Sequence, residues 1–181
     1  MPDIVIRGGT VIDGTGQPQR SADVAIDGNQ ITAVGSGISR GDREINAAGA
    51  LVMPGWVDVH THYDGQVTWD PYLTPSSWHG VTTAVFGNCG VGFAPVNNGT
   101  EDYLINLMEG VEDIPGSVLA EGMDFSWQTF PEYLDRVDAC PKVMDVAAQV
   151  PHGPLRFYVM GERGADHTIV PNHEEIETMG K

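Results

Sequence analysis

Apolar, largely β-branched runs recur at 4–6, 10–12, 24–26 and 31–34, separated by the turn signals Gly8-Gly9, Asp13-Gly14 and Asp27-Gly28-Asn29. This spacing predicts a small antiparallel sheet, with a tight hairpin connection at Asp27-Gly28-Asn29-Gln30. The pair Gly14 and Gly16 reads as turn chemistry, because no helix follows to make it a phosphate cradle. From residue 53 the pattern changes. Val57, Val59 and Thr61 alternate with Asp58, His60 and His62, which predicts a strand of period two. A second β-branched run fills 81–86, and 144–150 predicts a third strand. Helix signals lie between them. Residues 101–109 carry apolar side chains at Tyr103, Leu104, Leu107 and Met108, and Thr129-Phe130-Pro131-Glu132 is a capping box that opens a helix to about residue 137. Alternating strands and helices are the pattern of βα units around a parallel sheet, so the fold class is α/β.

Two of the predicted strands carry chemistry. Residues two apart in a strand share a face, which puts His60 and His62 side by side. Neutral imidazole is the commonest metal ligand, and two on one face can grip one ion; the plainer alternative is a pair of surface histidines on an edge strand. The next strand stops at Gly87-Asn88-Cys89-Gly90. In parallel barrels the C-terminal strand ends face the active site, so a thiolate there would be a third ligand of a kind zinc accepts. The alternative for Cys89 is a small buried hydrophobe.

The segments Gly-Gly-Thr-Val-Ile-Asp-Gly-Thr-Gly (8–16), His-Thr-His-Tyr-Asp (60–64), His-Gly-Val-Thr-Thr (79–83) and Gly-Asn-Cys-Gly-Val-Gly (87–92) resemble the N-acyl-D-amino-acid deacylases, the D-aminoacylase branch of the amidohydrolase superfamily. Val-Glu-Asp-Ile-Pro (111–115), Phe-Pro-Glu-Tyr-Leu (130–134) and Val-Ala-Ala-Gln-Val-Pro-His-Gly-Pro-Leu-Arg (146–156) are similar to the same branch. The His-x-His strand identifies only the superfamily; Gly-Asn-Cys-Gly marks the branch. The resemblance implies a β-sandwich portion over 1–52 and, over 53–181, the first βα units of a TIM-type barrel that is incomplete in this chain. It implies zinc held by His60, His62, Cys89 and histidines of later strands, with a general-base Asp expected beyond residue 181. The implied reaction is zinc-dependent hydrolysis of N-acyl-D-amino acids to a carboxylate and a free D-amino acid.

Composition narrows the partners. Nine basic against 25 acidic residues give a net charge of −16, which argues against nucleic acid or an anionic membrane. The start lacks the basic and apolar regions of a signal peptide, no apolar run is long enough to span a bilayer, and two cysteines cannot make a disulfide framework. A cytoplasmic setting is expected, with a small N-acyl amino acid as partner. Asn172-His173-Glu174-Glu175 opens a helix close to the last residue, and only about three βα units are present where a barrel of eight takes about 250 residues. The chain therefore reads as the N-terminal part of an enzyme, needing its C-terminal part or a complementary chain. The alternative of another class is a catalytically incomplete zinc-binding or structural fragment.

Several neighbours have two readings each. Asp58 is either an acceptor that orients an imidazole or a buried acid satisfied by backbone donors. Asp64 is a substrate or ligand-loop contact or an ordinary loop carboxylate, and Asn88 is a donor to thiolate or substrate or a left-handed turn residue. His152 and Arg156 follow the third strand at the active-site end, where Arg could pair with a substrate carboxylate. His79 precedes its strand, at the wrong end for the metal, and His167 and His173 read as surface or cap residues. A hydantoinase- or dihydroorotase-like cyclic amidase would need a bridging lysine at a strand's C-terminal end. The only lysines, Lys142 and Lys181, precede the third strand and end the chain.

Overall fold

The computed structural model describes residues 1–181, apart from the side chain of residue 112, and divides into two compact units, Met1–Gly55 and Trp56–Lys181. The first is one five-stranded sheet. Strands β1 (Ile4–Val11), β2 (Arg20–Asp27), β3 (Gln30–Gly35) and β4 (Arg43–Asn46) lie in the order β3-β2-β1-β4, and β5 (Leu51–Val52) also pairs with β1. The β1–β2 and β2–β3 pairs are antiparallel, and the expected hairpin closes at the Asp27–Gln30 pair. However, β4 and β5 run parallel to β1, so the sheet is mixed rather than antiparallel as the spacing predicted. The reason lies in the connection after β3, which crosses to the far side of β1. Arg7 fastens it, donating to Asp23 Oδ2 (2.8 Å), Glu44 Oε1 (2.6 Å) and the carbonyls of Ile38 (2.9 Å) and Ser39 (3.0 Å). All five strands belong to one sheet.

The second unit alternates strand and helix. Its strands are β6 (Trp56–Thr61), β7 (Val81–Phe86) and β8 (Asp145–Ala148), paired in parallel in the order β6-β7-β8. Its helices are α1 (Glu101–Glu112), α2 (Gly116–Gly122), α3 (Phe130–Ala139), α4 (His152–Met160), α5 (Glu162–Ala165) and α6 (His173–Met179). The capping boxes form as the sequence predicts. Thr129 and Glu132 exchange hydrogen bonds at the start of α3, and Asn172 and Glu175 do so at α6. Helix α4 was not legible, because Gly153 and Pro154 look like breakers. Proline in a first turn gives up only an N–H that has no helical partner there.

The core of this unit joins sheet to helices through aromatic side chains. Trp127, Tyr133, Phe86 and Phe93 are all buried, and the Trp127 indole donates to the Phe93 carbonyl at 2.8 Å. Phe86 and Tyr133 meet edge to face with centroids 6.5 Å apart. These contacts fix the loops that leave the C-terminal ends of β6 and β7. Among the described residues, no helix is long and apolar enough to cross a membrane.

Candidate metal centre

His60 lies in β6 and His62 is the first residue after it, and the two imidazoles meet. The His60 and His62 rings lie with centroids 5.5 Å apart, tilted by 38°. Pairing with β7 is not regular, however. Asp58 faces Ala84 and Thr61 faces Phe86, so β6 carries one residue more than β7 between those pairs. This is a β-bulge at Val59 and His60, a device that bends a strand and re-aims its side chains.

Cys89 sits on a turn at the end of β7, closed by the Gly90 N–H donating to the Gly87 carbonyl at 3.0 Å. Gly87 and Gly90 both have φ +87°, a left-handed conformation that suits glycine. A Cβ on Gly87 would lie 2.1 Å from the Gln149 carbonyl oxygen, so the turn sits directly against the chain leaving β8. The Gly90 carbonyl in turn accepts from the Gly153 N–H at 2.8 Å, at the start of α4. Both sides of the turn are thereby fastened to backbone. Cys89 itself is exposed, unlike the buried hydrophobe that a lone cysteine usually is.

His60, His62 and Cys89 come together: one ligand atom from each lies within 4.8 Å of the others. Among the described residues this is the group of histidine, cysteine and carboxylate side chains with spacing fit for an ion. Its chemistry suits zinc, which takes imidazole nitrogen at about 2.0 Å and thiolate sulfur at about 2.3 Å. Tetrahedral donors at those lengths stand about 3.5 Å apart, within reach of small side-chain rotations.

The neighbours divide. Asp58 Oδ1 accepts from the His60 backbone N–H at 3.2 Å. Asn88 Nδ2 donates to the Val59 carbonyl, and it is the glycines flanking the turn, not Asn88, that take positive φ. Asp64 is buried, not a solvated loop acid. Its Oδ1 lies 2.8 Å from where a Cβ on Gly92 would sit, and its backbone carbonyl accepts from the Tyr133 hydroxyl at 2.7 Å. Burial, reinforced by the nearby Asp64 charge, pushes the Tyr133 phenol well above its usual value and keeps it a donor. His152 is exposed as the first residue of α4, beside the Cys89 turn but outside the group of donors. Arg156 is buried, with its guanidinium on the carbonyls of Gly164 (3.3 Å), Asp166 (3.2 Å) and Ile169 (2.8 Å). It staples the segment after α4, a job the sequence did not reveal. Tyr133 and Gly92 were missed as well. The capping box at Thr129 located the helix, but nothing in the sequence said which loop its tyrosine would reach.

The profile of the amidohydrolase family matches residues 43–180. The chain belongs to the amidohydrolase family. Over 178 residues it is 33% identical to the D-aminoacylase of Alcaligenes xylosoxydans xylosoxydans, covering 98% of this chain and 34% of that one. A solved D-aminoacylase, described by its binuclear metal centre, superposes with a TM-score of 0.77 at 36% identity, covering 98% of this chain and 34% of that chain. The N-acyl-D-glutamate deacylase of Bordetella bronchiseptica, solved with zinc and a phosphonate mimic of the tetrahedral intermediate, gives 0.70 at 31% identity with the same coverage. The amidohydrolase chain described here thus spans about a third of the length of the relatives it matches.

Proposed function

We propose that this chain is the zinc-binding N-terminal part of an amidohydrolase that cleaves N-acyl-D-amino acids into a carboxylate and a free D-amino acid. The observation that carries the reading is the gathering of His60, His62 and Cys89 at the C-terminal ends of two adjacent parallel strands. Likeness to D-aminoacylase and to the D-glutamate deacylase over 98% of the chain supports the substrate class. In this reading 1–52 is a β-sandwich portion and 53–181 the opening of a TIM-type barrel, in a cytoplasmic enzyme. Parallel sheets are normally covered on both faces, yet Val57 and Val59 are 59% and 63% exposed, which suits strands awaiting neighbours.

Bound zinc supplies a Lewis acid and a water whose pKa is lowered toward neutrality. His60, His62 and Cys89 would hold it through two imidazoles and a thiolate. The Cys89 turn is exposed. The further histidine ligands and the general-base Asp belong, on this proposal, to residues outside 1–181. The cyclic-amidase alternative is disfavoured by Lys142. Its Nζ donates to the carbonyls of Val137 and Cys140, both at 2.7 Å, ahead of β8 rather than at its C-terminal end.

The test is release of D-amino acid from N-acyl-D-amino acids by the zinc-loaded chain, with N-acyl-L-amino acids and hydantoins in parallel. Turnover of D-substrates confirms the deacylase chemistry and shows that the chain suffices alone. Zinc uptake without turnover is the result expected of the N-terminal part. Ring opening of hydantoin would replace the proposal by the cyclic amidase, and failure to bind zinc would remove the site.

A further inference from the structure

β6 is an edge of its sheet, and its register against β7 shifts between Asp58 and Thr61, at the Val59–His60 peptide. A peptide at a sheet edge and at a register shift has polar groups to satisfy outside the ladder. Its N–H and its carbonyl both find side chains. The N–H of His60 donates to Asp58 Oδ1 at 3.2 Å, and the carbonyl of Val59 accepts from Asn88 Nδ2. The two partners come from different places: Asp58 from the strand itself, Asn88 from the turn that carries Cys89. One peptide unit is therefore gripped from opposite sides, immediately before one ligand, by a residue adjacent to another.

The Cys89 turn is also held at its ends. Gly87 abuts the Gln149 carbonyl and Gly90 binds the Gly153 N–H, and both contacts face β8 and α4. The Asn88 amide is the bond that ties the middle of the turn toward β6. We propose that Asp58 and Asn88 are positioning residues that clamp the Val59–His60 peptide, setting the aim of His60 and holding Cys89 within ligating distance of it. This rests on the metal reading of His60, His62 and Cys89, and assigns Asp58 to the ligand's backbone rather than its ring.

The test combines zinc affinity by chelator competition, the cobalt(II) spectrum, and His60 amide hydrogen exchange in the metal-free chain. Asn88→Ala should weaken zinc by about tenfold or more, the range for partners that orient ligands. It should also reduce the thiolate-to-cobalt charge-transfer band, with the thermal midpoint of the metal-free protein little changed. Asn88→Asp keeps the shape but cannot donate, so it should fail equally and serves if the alanine variant does not fold. Asp58→Ala should speed His60 amide exchange, while Asp58→Asn, which retains the acceptor, should restore both protection and affinity. Wild-type affinity and spectrum in Asn88→Ala and Asn88→Asp would overturn the clamp, as would an unprotected His60 amide in the wild-type chain. A wild-type chain that binds no zinc yet protects that amide, with protection lost in Asp58→Ala, would refute the metal reading and support the clamp.

Discussion

Cys89 stands exposed on a glycine-bounded turn at the end of β7, where two imidazoles approach it, whereas Cys140 is buried where α3 ends. The Cys140 sulfur is occupied by Arg136 of the helix it caps and by the Thr68 carbonyl. It accepts from the Arg136 guanidinium and lies 3.3 Å from the Arg136 carbonyl and 3.7 Å from that of Thr68. Cys140 thus fills a gap between a helix end and the loop after β6, and its thiol is part of the packing. Cys89 packs against little, and its neighbours are donors suited to an ion. The difference teaches that backbone, not residue type, separates an exposed thiol from a packed one here. Left-handed glycines hold one thiol out in the open, and a helix cap draws the other in.

The sharpest way to break this contrast is to remove the platform under Cys89. Gly87→Ala puts a methyl 2.1 Å from a backbone oxygen at φ +87°, with no flexible side chain to yield. Strain of that kind costs about 1–3 kcal/mol before the clash is counted. A total loss above about 3 kcal/mol in urea unfolding is therefore expected. A variant as stable as wild type would show that the turn is not pinned to Gln149. Next in size is removal of a ligand. His62→Ala should lower zinc affinity about 100-fold, equivalent to about 2.8 kcal/mol at 1.4 kcal/mol per decade. Retention of metal by that variant would take His62 out of the site. Cys140→Ala inverts the pattern: a cost of about 1–2 kcal/mol in stability, for a small buried side chain and its polar contacts, with zinc affinity unchanged. A fall in metal affinity without loss of stability would make Cys140 the ligand instead.

The smallest effect comes from the cap that supports the Cys140 helix. Hydrogen bonds from the backbone N–H groups of Thr129 and Gln128, and from the Thr129 hydroxyl, hold the Glu132 carboxyl below its usual value. A carboxyl depressed in the folded state stabilises above its unfolded pKa of about 4.3, and that contribution is lost as pH falls through the lower folded value. Glu132→Gln should therefore destabilise near neutrality and differ less and less from wild type below about pH 4. Urea midpoints of the two proteins across this range check the sign, and zinc affinity near neutrality should be the same in both. A gap that widens on acidification would contradict the capping role.

Much of this was legible from residue patterns. Period-two alternation located β6, and the structure brings His60 and His62 together with Cys89 of the Gly-Asn-Cys-Gly segment. Both capping boxes marked real helix starts, because they are local chemistry between residues three apart. What stayed hidden depends on contacts distant in sequence. Asp58 and Asn88 were visible as candidates, but their job arises from a bulge, and register against β7 cannot be read from β6 alone. Tyr133 reaches the Asp64 carbonyl across 69 residues of chain, and Arg156 looks like a substrate contact until the carbonyls around it are seen. The mixed first sheet was hidden for the same reason. Strand periodicity says nothing about where a crossover lands.

The most direct test of the account is zinc-edge X-ray absorption on the zinc-loaded wild type, Cys89→Ser and Cys140→Ser proteins. The account predicts a sulfur neighbour at about 2.3 Å, with imidazole nitrogens near about 2.0 Å, in the wild type and in Cys140→Ser. In Cys89→Ser the sulfur should disappear and zinc be held weakly or lost. A wild-type spectrum without sulfur, or a sulfur neighbour that survives Cys89→Ser, would contradict it.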